Sequence, residues 1–248
     1  MPQDGAGSFR VISTPTAAGG CFTCSSKPGS IFCDLPQARL LELDQLRRAR
    51  IYPAGATLFF GADQPRGVYC VGSGRVRLSR SSPDGRSVGV RIATAGDVLG
   101  VRPLLLGKTH DLLAETIDEA RVCCIPRNDF LDFLKRHGDV GLRLAQRLST
   151  EIDGAYQQVC SLILKTPTER LAELLLALSQ THGEPGPDGI RLSTGMSQDE
   201  LASMIGVSRR SLCRAFETLR ERGFVACRRR SIIIRNEFAL RNSLISIE

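Results

Sequence analysis

Three cysteines near the start of the chain have a spacing that could bind a metal or carry out redox chemistry. They follow the pattern Cys21-x2-Cys24-x8-Cys33, and two adjacent cysteines, Cys123 and Cys124, lie far along the chain. The 248 residues contain nine cysteines, an odd number and too few for a disulfide-stabilised scaffold. In a reducing compartment, clustered cysteines indicate metal binding or redox chemistry rather than structural disulfides.

A local excess of arginine near the C-terminus is the second chemical signal. Lysine and arginine total 33 against 26 acidic residues, which gives a net charge of +7. Between Leu201 and Arg241 there are ten arginines and three glutamates, so this stretch alone accounts for the whole net charge. Such an excess is typical of a protein that binds a polyanion, most often nucleic acid. Charge alone leaves a solvated basic surface as an equal alternative.

The elements that would present these arginines have the pattern of a helix-turn-helix. Ser197-Gln198-Asp199-Glu200 has the form of a capping box before an apolar helix, and Gly206 supplies a turn. Ser208 is a candidate N-cap of a second helix, which in this motif is the usual reader of the DNA major groove. Arginines in its first two turns can pair with guanine or neutralise a phosphate. The expected DNA-binding residues of this helix are Ser208, Arg209, Arg210, Ser211, Cys213 and Arg214.

A basic hairpin follows the second helix. The segments Phe224–Cys227 and Ser231–Arg235 have the composition of strands, and the residues between them are Arg228, Arg229 and Arg230. We expect these three arginines to lie against the DNA backbone, as a wing does. Capping box, glycine turn, arginine-rich helix and basic hairpin, in this order, indicate a winged helix-turn-helix.

The preceding residues predict a β-roll and a long helix, so the fold class is α+β. A short amphipathic helix is expected over Ala38–Arg50, followed by short strands punctuated by glycine and by the turn Ser82-Pro83-Asp84-Gly85. The glycine- and proline-rich stretch Gly183–Gly189 is predicted to be a loop. The expected domains are a cysteine-bearing segment (1–37), an antiparallel β-roll sensor (38–137), a dimerisation helix (138–165) and the DNA-binding domain (166–248).

The long helix carries an apolar seam with alternating spacings of three and four residues. β-branched residues at heptad position a with leucine at d favour a parallel two-stranded coil, and an ordinary core-facing helix is the alternative. No a or d position from Gly141 to Leu162 is charged, so we expect a homodimer with or without a cofactor. The predicted seam consists of Ala145, Leu148, Ile152, Ala155, Val159 and Leu162.

In this order, the roll, the long helix and the winged helix-turn-helix resemble the CRP/FNR family of bacterial transcription regulators. The most specific matching segments are Tyr52–Gly55, Gly72–Val76, Ala95–Gly100 and Ile205–Arg209. The resemblance implies a jelly roll of the cyclic-nucleotide-binding type and a transcription regulator rather than an enzyme. It also implies double-stranded DNA and RNA polymerase as partners, with Ser81–Arg86 as the polymerase-contacting loop.

The reader helix departs from the family at one position. Arg210 stands where the family usually has a glutamate that accepts hydrogen bonds from cytosine, so the family's usual half-site is not expected. The alternative from another class is a cysteine-based redox enzyme. Against it, His110, His137 and His182 lie in unrelated segments, and no nucleophile–base pair is visible.

The resemblance suggests two kinds of signal for the roll. In the cyclic-nucleotide branch an Arg-Ser pair holds the phosphate, and its position falls on His110-Asp111. A carboxylate there would repel a phosphate, so a cyclic nucleotide is not expected. The FNR-like branch instead carries three N-terminal cysteines and a fourth in a Val-Cys-x-Ile-Pro setting, which together hold a 4Fe-4S cluster.

Cys123 matches that fourth position, so the resemblance implies Cys21, Cys24, Cys33 and Cys123 as the iron ligands. Adjacent strand residues face opposite sides, so Cys123 and Cys124 are not expected to be ligands together. Four thiolates suit an iron–sulfur cluster or a structural zinc ion. Three alternatives remain. The cysteines could bind zinc, they could form a thiol redox switch, or they could hold no cofactor while the roll binds an unidentified small molecule.

We expect a cytoplasmic protein with no membrane partner. No uninterrupted apolar run approaches the ~18–20 residues needed to cross a bilayer. The N-terminal residues lack the cationic start and apolar core of a secretory signal.

Overall fold

The computed structural model describes residues 30–32, 35–81, 87–192, 196–228 and 231–242. Five residues with expected roles lie outside these ranges, namely Cys21, Cys24, Cys33, Arg229 and Arg230. Residues 82–86 of the expected polymerase loop also lie outside them.

The first half of the chain contains the roll and the helices that cover it. Its elements are α1 (Gln37–Leu46), β1 (Arg48–Tyr52), β2 (Thr57–Phe59), β3 (Gly67–Ser73), β4 (Val76–Ser81), β5 (Ser87–Ala93), β6 (Val98–Leu99), α2 (Val101–Leu106), β7 (Leu113–Thr116), β8 (Ala120–Pro126) and α3 (Arg127–Arg136).

The expected antiparallel roll is confirmed. Its two four-stranded sheets have the strand orders β1-β8-β3-β6 and β2-β7-β4-β5, with antiparallel pairing throughout. Side chains from both sheets, among them Phe59, Val71 and Leu78, form a core inside the roll. A second core lies on the outer face of β3 and β8, where Val68 and Ile125 pack against the helices.

The predicted helix Ala38–Arg50 is too long at its C-terminal end. The observed helix stops at Leu46, and Arg48–Tyr52 forms β1 instead. Arginines are good helix formers, so the local sequence favours continuation of the helix. These residues form a strand instead because β1 pairs along its whole length with β8, from Arg48 opposite Cys124 to Tyr52 opposite Ala120.

The second half contains a long helix and a small α/β domain. Its elements are α4 (Gly138–Leu164), α5 (Pro167–His182), β9 (Gly183–Gly186), β10 (Gly189–Leu192), α6 (Gln198–Met204), α7 (Arg209–Glu221), β11 (Val225–Arg228), β12 (Ser231–Ile234) and α8 (Glu237–Asn242). A capping box of Thr166 and Glu169, with Pro167 in the first turn, starts α5.

The prediction of a loop over Gly183–Gly189 is wrong. Gly183–Gly186 and Gly189–Leu192 form a hairpin that extends the wing into a sheet of order β11-β12-β10-β9. Gly189 has a φ of +123°, and a Cβ atom there would lie 2.2 Å from the carbonyl oxygen of Ile234. Because only glycine accommodates both conditions, this residue allows β10 to reach β12.

Candidate nucleic-acid interface and cysteine site

Helices α6 and α7 form the expected helix-turn-helix. The Ser197 side chain accepts a hydrogen bond from the Glu200 amide, and the Glu200 side chain accepts one from the Ser197 amide, so the predicted capping box is present. The Ser208 hydroxyl accepts from the Ser211 amide and starts α7. Gly206, with a φ of +66°, makes the turn between the helices. The sequence predicted these features because each depends on residues within three positions of one another.

The arginines in the first two turns of α7 differ in whether their side chains are already bonded within the protein. Arg209 bonds to α6, since its Nε donates to Gln198 Oε1 at 3.1 Å and its guanidinium lies 3.6 Å from the Asp199 carboxylate. Arg210 and Arg214 are exposed, and neither guanidinium group has an ion-pair or hydrogen-bond partner within the described ranges. These two lie one turn apart on a single face, so they are free to contact a polyanion.

The remaining predicted contacts on α7 and the wing differ in exposure and pairing. Cys213 is half-buried, and its thiol lies 3.8 Å from Gln198 Oε1. Arg228, at the end of β11, donates to the Asp188 carboxylate in the β9–β10 turn at 3.0 Å. The wing thus begins on an arginine that is already paired within the protein.

The helix-turn-helix contacts the roll through α6. Arg77 in β4 binds Glu115 at 2.9 Å and also forms an ion pair with Glu200 in α6. The amide of Gly89 in β5 donates to Ser203 Oγ at 2.8 Å. Glu200 therefore caps its own helix and holds that helix against the roll.

Cys123 and Cys124 lie on opposite faces of β8. Cys123 is 7% exposed, and its Sγ accepts a hydrogen bond from Arg47 Nη1 at 3.2 Å, on the face covered by α1. Cys124 lies opposite Tyr69, which packs against Phe59 inside the roll. Within the described residues no group of three or more His, Cys, Asp and Glu side chains could hold a metal ion. Cys123 is therefore the only expected iron ligand whose surroundings can be described.

Helix α1 joins the surroundings of Cys123 to the start of α4. At its C-terminal end, Arg47 Nε donates to Asp44 Oδ1 at 2.6 Å while its other nitrogen holds Cys123. Further toward its N-terminus, Glu42 Oε2 lies 2.7 Å from His137 Nε2, and this contact lowers the pKa of Glu42. Arg39 forms an ion pair with Asp139 in the first turn of α4. Residue type and spacing alone would not identify Arg47, because its contact with Cys123 spans 76 residues.

The roll and α4 line a half-open cavity of about 550 Å³, a typical size for a ligand site. Three arginines line it and are all neutralised. Arg102 binds both oxygens of Asp111, and Arg91 and Arg147 bind Asp97 and Glu151. The carboxylate of Asp111 is thus paired rather than directed at a ligand, and its expected repulsion of a phosphate is offset by Arg102. A phosphate would instead have to displace a carboxylate from one of the three arginines.

His110 is a buried histidine in the wall of this cavity. It is 3% exposed and stacks on Phe59 with ring centroids 3.9 Å apart. Its Nε2 has no hydrogen-bond partner in the part of the chain that the structure describes. Burial lowers the pKa of His110 below its usual value of 6.5. The folded protein therefore disfavours the charged form of this ring.

Because of this pKa shift, we expect the protein to lose stability as the pH falls below about 6.5. In that range the unfolded chain binds a proton at His110 that the folded chain does not, so lower pH favours unfolding. Urea midpoints measured at pH values of about 7.5 and 5.5 should show the decrease, and it should be smaller in His110→Gln. Parallel pH profiles for the two proteins would contradict the assignment.

Comparisons with known proteins complete the description of the site. Residues 49–137 match the family described as the cyclic nucleotide-binding domain, and residues 169–243 match the Crp-like helix-turn-helix domain. The chain is 30% identical over 186 residues to the global nitrogen regulator of Synechocystis sp., covering 74% of this chain and 83% of that protein. It is 25% identical over 231 residues to the transcriptional activator protein FnrL of Cereibacter sphaeroides, covering 91% of each.

A solved structure of a CRP/FNR regulator is also similar to this chain. The transcriptional regulator TTHA1359 of the CRP/FNR family, from Thermus thermophilus, aligns with a TM-score of 0.69 and 25% identity, covering 80% of this chain and 99% of that one. None of the helices within the described ranges is both long and apolar enough to cross a membrane.

Proposed function

The chain belongs to the CRP/FNR family of DNA-binding transcription regulators, and from this premise we propose that it senses a redox or gaseous signal, such as oxygen or NO, as a homodimer. The proposed sensor is a 4Fe-4S cluster held by Cys21, Cys24, Cys33 and Cys123. The protein is a regulator and not an enzyme. The observation that carries the proposal is the position of Cys123, buried beneath α1 with its sulfur bound by Arg47.

The donor set fits the proposed group. A 4Fe-4S cluster takes four cysteine thiolates, and Cys123 offers a sulfur that already has a guanidinium 3.2 Å away to balance negative charge. Phe32, the residue before Cys33, packs edge-to-face on Phe130 in α3, the helix that directly follows β8. Leu35, two residues after Cys33, belongs to the same outer core as Ile125. The chain on both sides of Cys33 therefore packs on the face of β8 that carries Cys123.

A bound cluster would supply a centre that reacts with oxygen or NO and changes charge. The chain's own residues couple that site to the long helix. Arg47 and Asp44 tie the end of α1 to Cys123, and Glu42 and Arg39 tie its other turns to His137 and Asp139. Any change in the bonding of the Cys123 sulfur therefore acts on the helix that also holds the first turn of α4.

Metal analysis of protein purified without air tests this proposal. We expect about four iron and four sulfide per protomer, with a visible absorption band that bleaches in air. If the analysis finds about one zinc per protomer and no sulfide, the site is a structural zinc site and not an iron–sulfur cluster. Neither metal, together with thiols that titrate reversibly, would favour a thiol redox switch.

The homodimer is proposed on the basis of α4. Ala145, Ile152, Ala155 and Val159 are exposed on the single chain, as an unpartnered seam would be. The other two predicted seam residues have contacts within the chain. Leu148 packs on the outer core of the roll, and Leu162 lies close to Gly206 although it is 45% exposed. The proposed contact between protomers is therefore centred on the middle of α4.

Ala155→Asp should shift the protein from dimer toward monomer, because it places two like charges across the seam. Burial of Ile152 and Val159 would stabilise the dimer by ~1.5–3 kcal/mol for each fully buried side chain, and no seam charge opposes it. Sedimentation at micromolar concentration measures the shift, and Gln157→Asp on the outer face of α4 is the matched control. If the unmodified, cofactor-free protein sediments as a monomer, the expectation of a dimer without a cofactor is wrong, and assembly of the dimer becomes the switch.

The cavity supports a second candidate function, a regulator of the same family gated by a small molecule. The observation that favours it is the volume of about 550 Å³ with the buried, unpartnered Nε2 of His110 in its wall. Calorimetric titration with cyclic AMP and cyclic GMP tests the nucleotide class. We expect no heat of binding, since all three lining arginines are paired. Saturable binding would restore the cyclic nucleotide as the signal.

A further inference from the structure

Cys70 and Cys123 face each other across two neighbouring strands. In the antiparallel pairing of β3 with β8, Cys70 lies directly opposite Cys123. Directly opposed residues have Cα atoms about 4.5–5.5 Å apart, and their side chains share one face of the sheet. A disulfide requires Cα atoms about 4.4–6.8 Å apart, so the backbone register brings these two thiols within bonding reach.

The neighbouring residues show that both thiols lie on the outer face. Cys70 packs on the outer core together with Leu43 of α1, and Cys123 accepts its hydrogen bond from Arg47 at the end of the same helix. Cys124 is on the opposite face, because it is the cross-strand partner of Tyr69. Among the cysteines of the roll, the sheet therefore selects Cys70 as the partner of Cys123.

The two thiols differ in access. Cys123 is buried, whereas Cys70 is half-buried and the more accessible of the two. Oxidants react first with an accessible thiol to give a sulfenic acid, which an adjacent thiol converts to a disulfide. Cys70 thus has the position of the residue that is oxidised, and Cys123 that of the resolving residue.

We propose that Cys70 and Cys123 form a redox-modification site at which a peroxide makes a reversible cross-strand disulfide. Hydrogen peroxide oxidises the Cys70 thiol to a sulfenic acid and releases one water. The Cys123 sulfur then attacks the Cys70 sulfur, forming the S–S bond and releasing the second water. Two thiols lose two electrons and two protons in total, and the peroxide is reduced to two water molecules.

This site sets a condition on cofactor loading. Cys123 cannot bind iron while it is bonded to Cys70, so the disulfide blocks loading until a thiol reductant restores both cysteines. Only this consequence rests on the proposed cluster, since the disulfide needs nothing but the two opposed thiols.

Peptide mapping of the full-length, iron-free protein tests the disulfide. After brief treatment with hydrogen peroxide and blocking with N-ethylmaleimide, trypsin should release the fragment Gly67–Arg75 joined to Val122–Arg127. Because the second fragment contains two cysteines, matched variants identify the bonded one. The joined fragment should persist in Cys124→Ser and be absent from Cys123→Ser and from Cys70→Ala.

Dithiothreitol should reduce the disulfide and separate the two joined fragments from the unmodified protein. A main product that links Cys123 to Cys124 or to an N-terminal cysteine would overturn the proposal. The proposal would also be overturned if Cys70 is still recovered as a maleimide-blocked thiol after peroxide treatment.

Iron uptake provides an independent second measurement. Peroxide-treated protein should load severalfold less iron than untreated protein and regain full loading after dithiothreitol, whereas Cys70→Ala should load equally with and without brief peroxide treatment. If peroxide lowers iron loading equally in Cys70→Ala and in the unmodified protein, Cys70 does not control loading. If no protein loads iron at all, the proposed cluster fails, and the peptide map alone decides whether the disulfide forms.

Discussion

Cys123→Ser is expected to abolish loading of iron and sulfide, from about four of each per protomer to none. An alcohol is a poor ligand for iron in such a cluster, and one missing ligand of four is enough to prevent stable assembly. The same loss is expected for serine at Cys21, Cys24 or Cys33. Iron and sulfide analysis of anaerobically reconstituted protein measures the effect.

Cys124→Ser is the matched control for this prediction. It changes the adjacent residue on the other face of β8, where the side chain lies opposite Tyr69 rather than beneath α1. Loading should therefore remain complete. Full iron content in Cys123→Ser together with loss in Cys124→Ser would show that the ligand belongs to the inner face.

Arg214→Ala and Arg210→Ala should each weaken specific DNA binding strongly. A lost base contact costs about 1–3 kcal/mol, and the proposed dimer would lose it twice on a two-fold operator, so we expect about 2–6 kcal/mol. This corresponds to an affinity loss of roughly 30-fold to 10⁴-fold. Fluorescence anisotropy with an operator selected from random DNA measures the change at several salt concentrations. Unchanged operator affinity in Arg214→Ala would mean that α7 does not read DNA through this face.

Two arginine variants separate base reading from general attraction to DNA. Arg229→Ala, in the wing that the sequence predicts, should weaken binding to all sequences and lower the salt slope by about one to two. Arg209→Ala should have a smaller effect than Arg214→Ala, because Arg209 is already bonded to Gln198 and near Asp199. Equal losses in all three variants, on operator and random DNA alike, would indicate only electrostatic binding.

The sequence predicted the DNA-binding motif well because its signals are local. Both caps, at Ser197 and Ser208, involve a side chain and an amide three residues away. The distinction between Arg209 and Arg214 was not predictable in the same way. It depends on how α6 packs against α7, which brings Gln198 to Arg209 but leaves Arg214 exposed.

The parts that the sequence did not predict depend on strand pairing between distant segments. The arginine-rich end of the first predicted helix becomes β1 because β8, about seventy residues later, offers it a partner. The stretch Gly183–Gly186 becomes a strand because β10 lies beside it. Cys70 gains a partner only through the register of β3 with β8, which alternation of apolar residues within one strand cannot reveal.

The double role of Glu200 has a consequence for how the protein unfolds. Its carboxylate caps α6 and also binds Arg77, which is held by Glu115 in the roll. Release of the DNA-binding domain from the roll would break the Arg77–Glu200 ion pair and leave each charge only its partner within its own half, so we expect the two halves to unfold as one cooperative unit. A single calorimetric transition is then the signature of the intact chain. In Arg77→Ala, the roll and the DNA-binding domain would melt at separate temperatures.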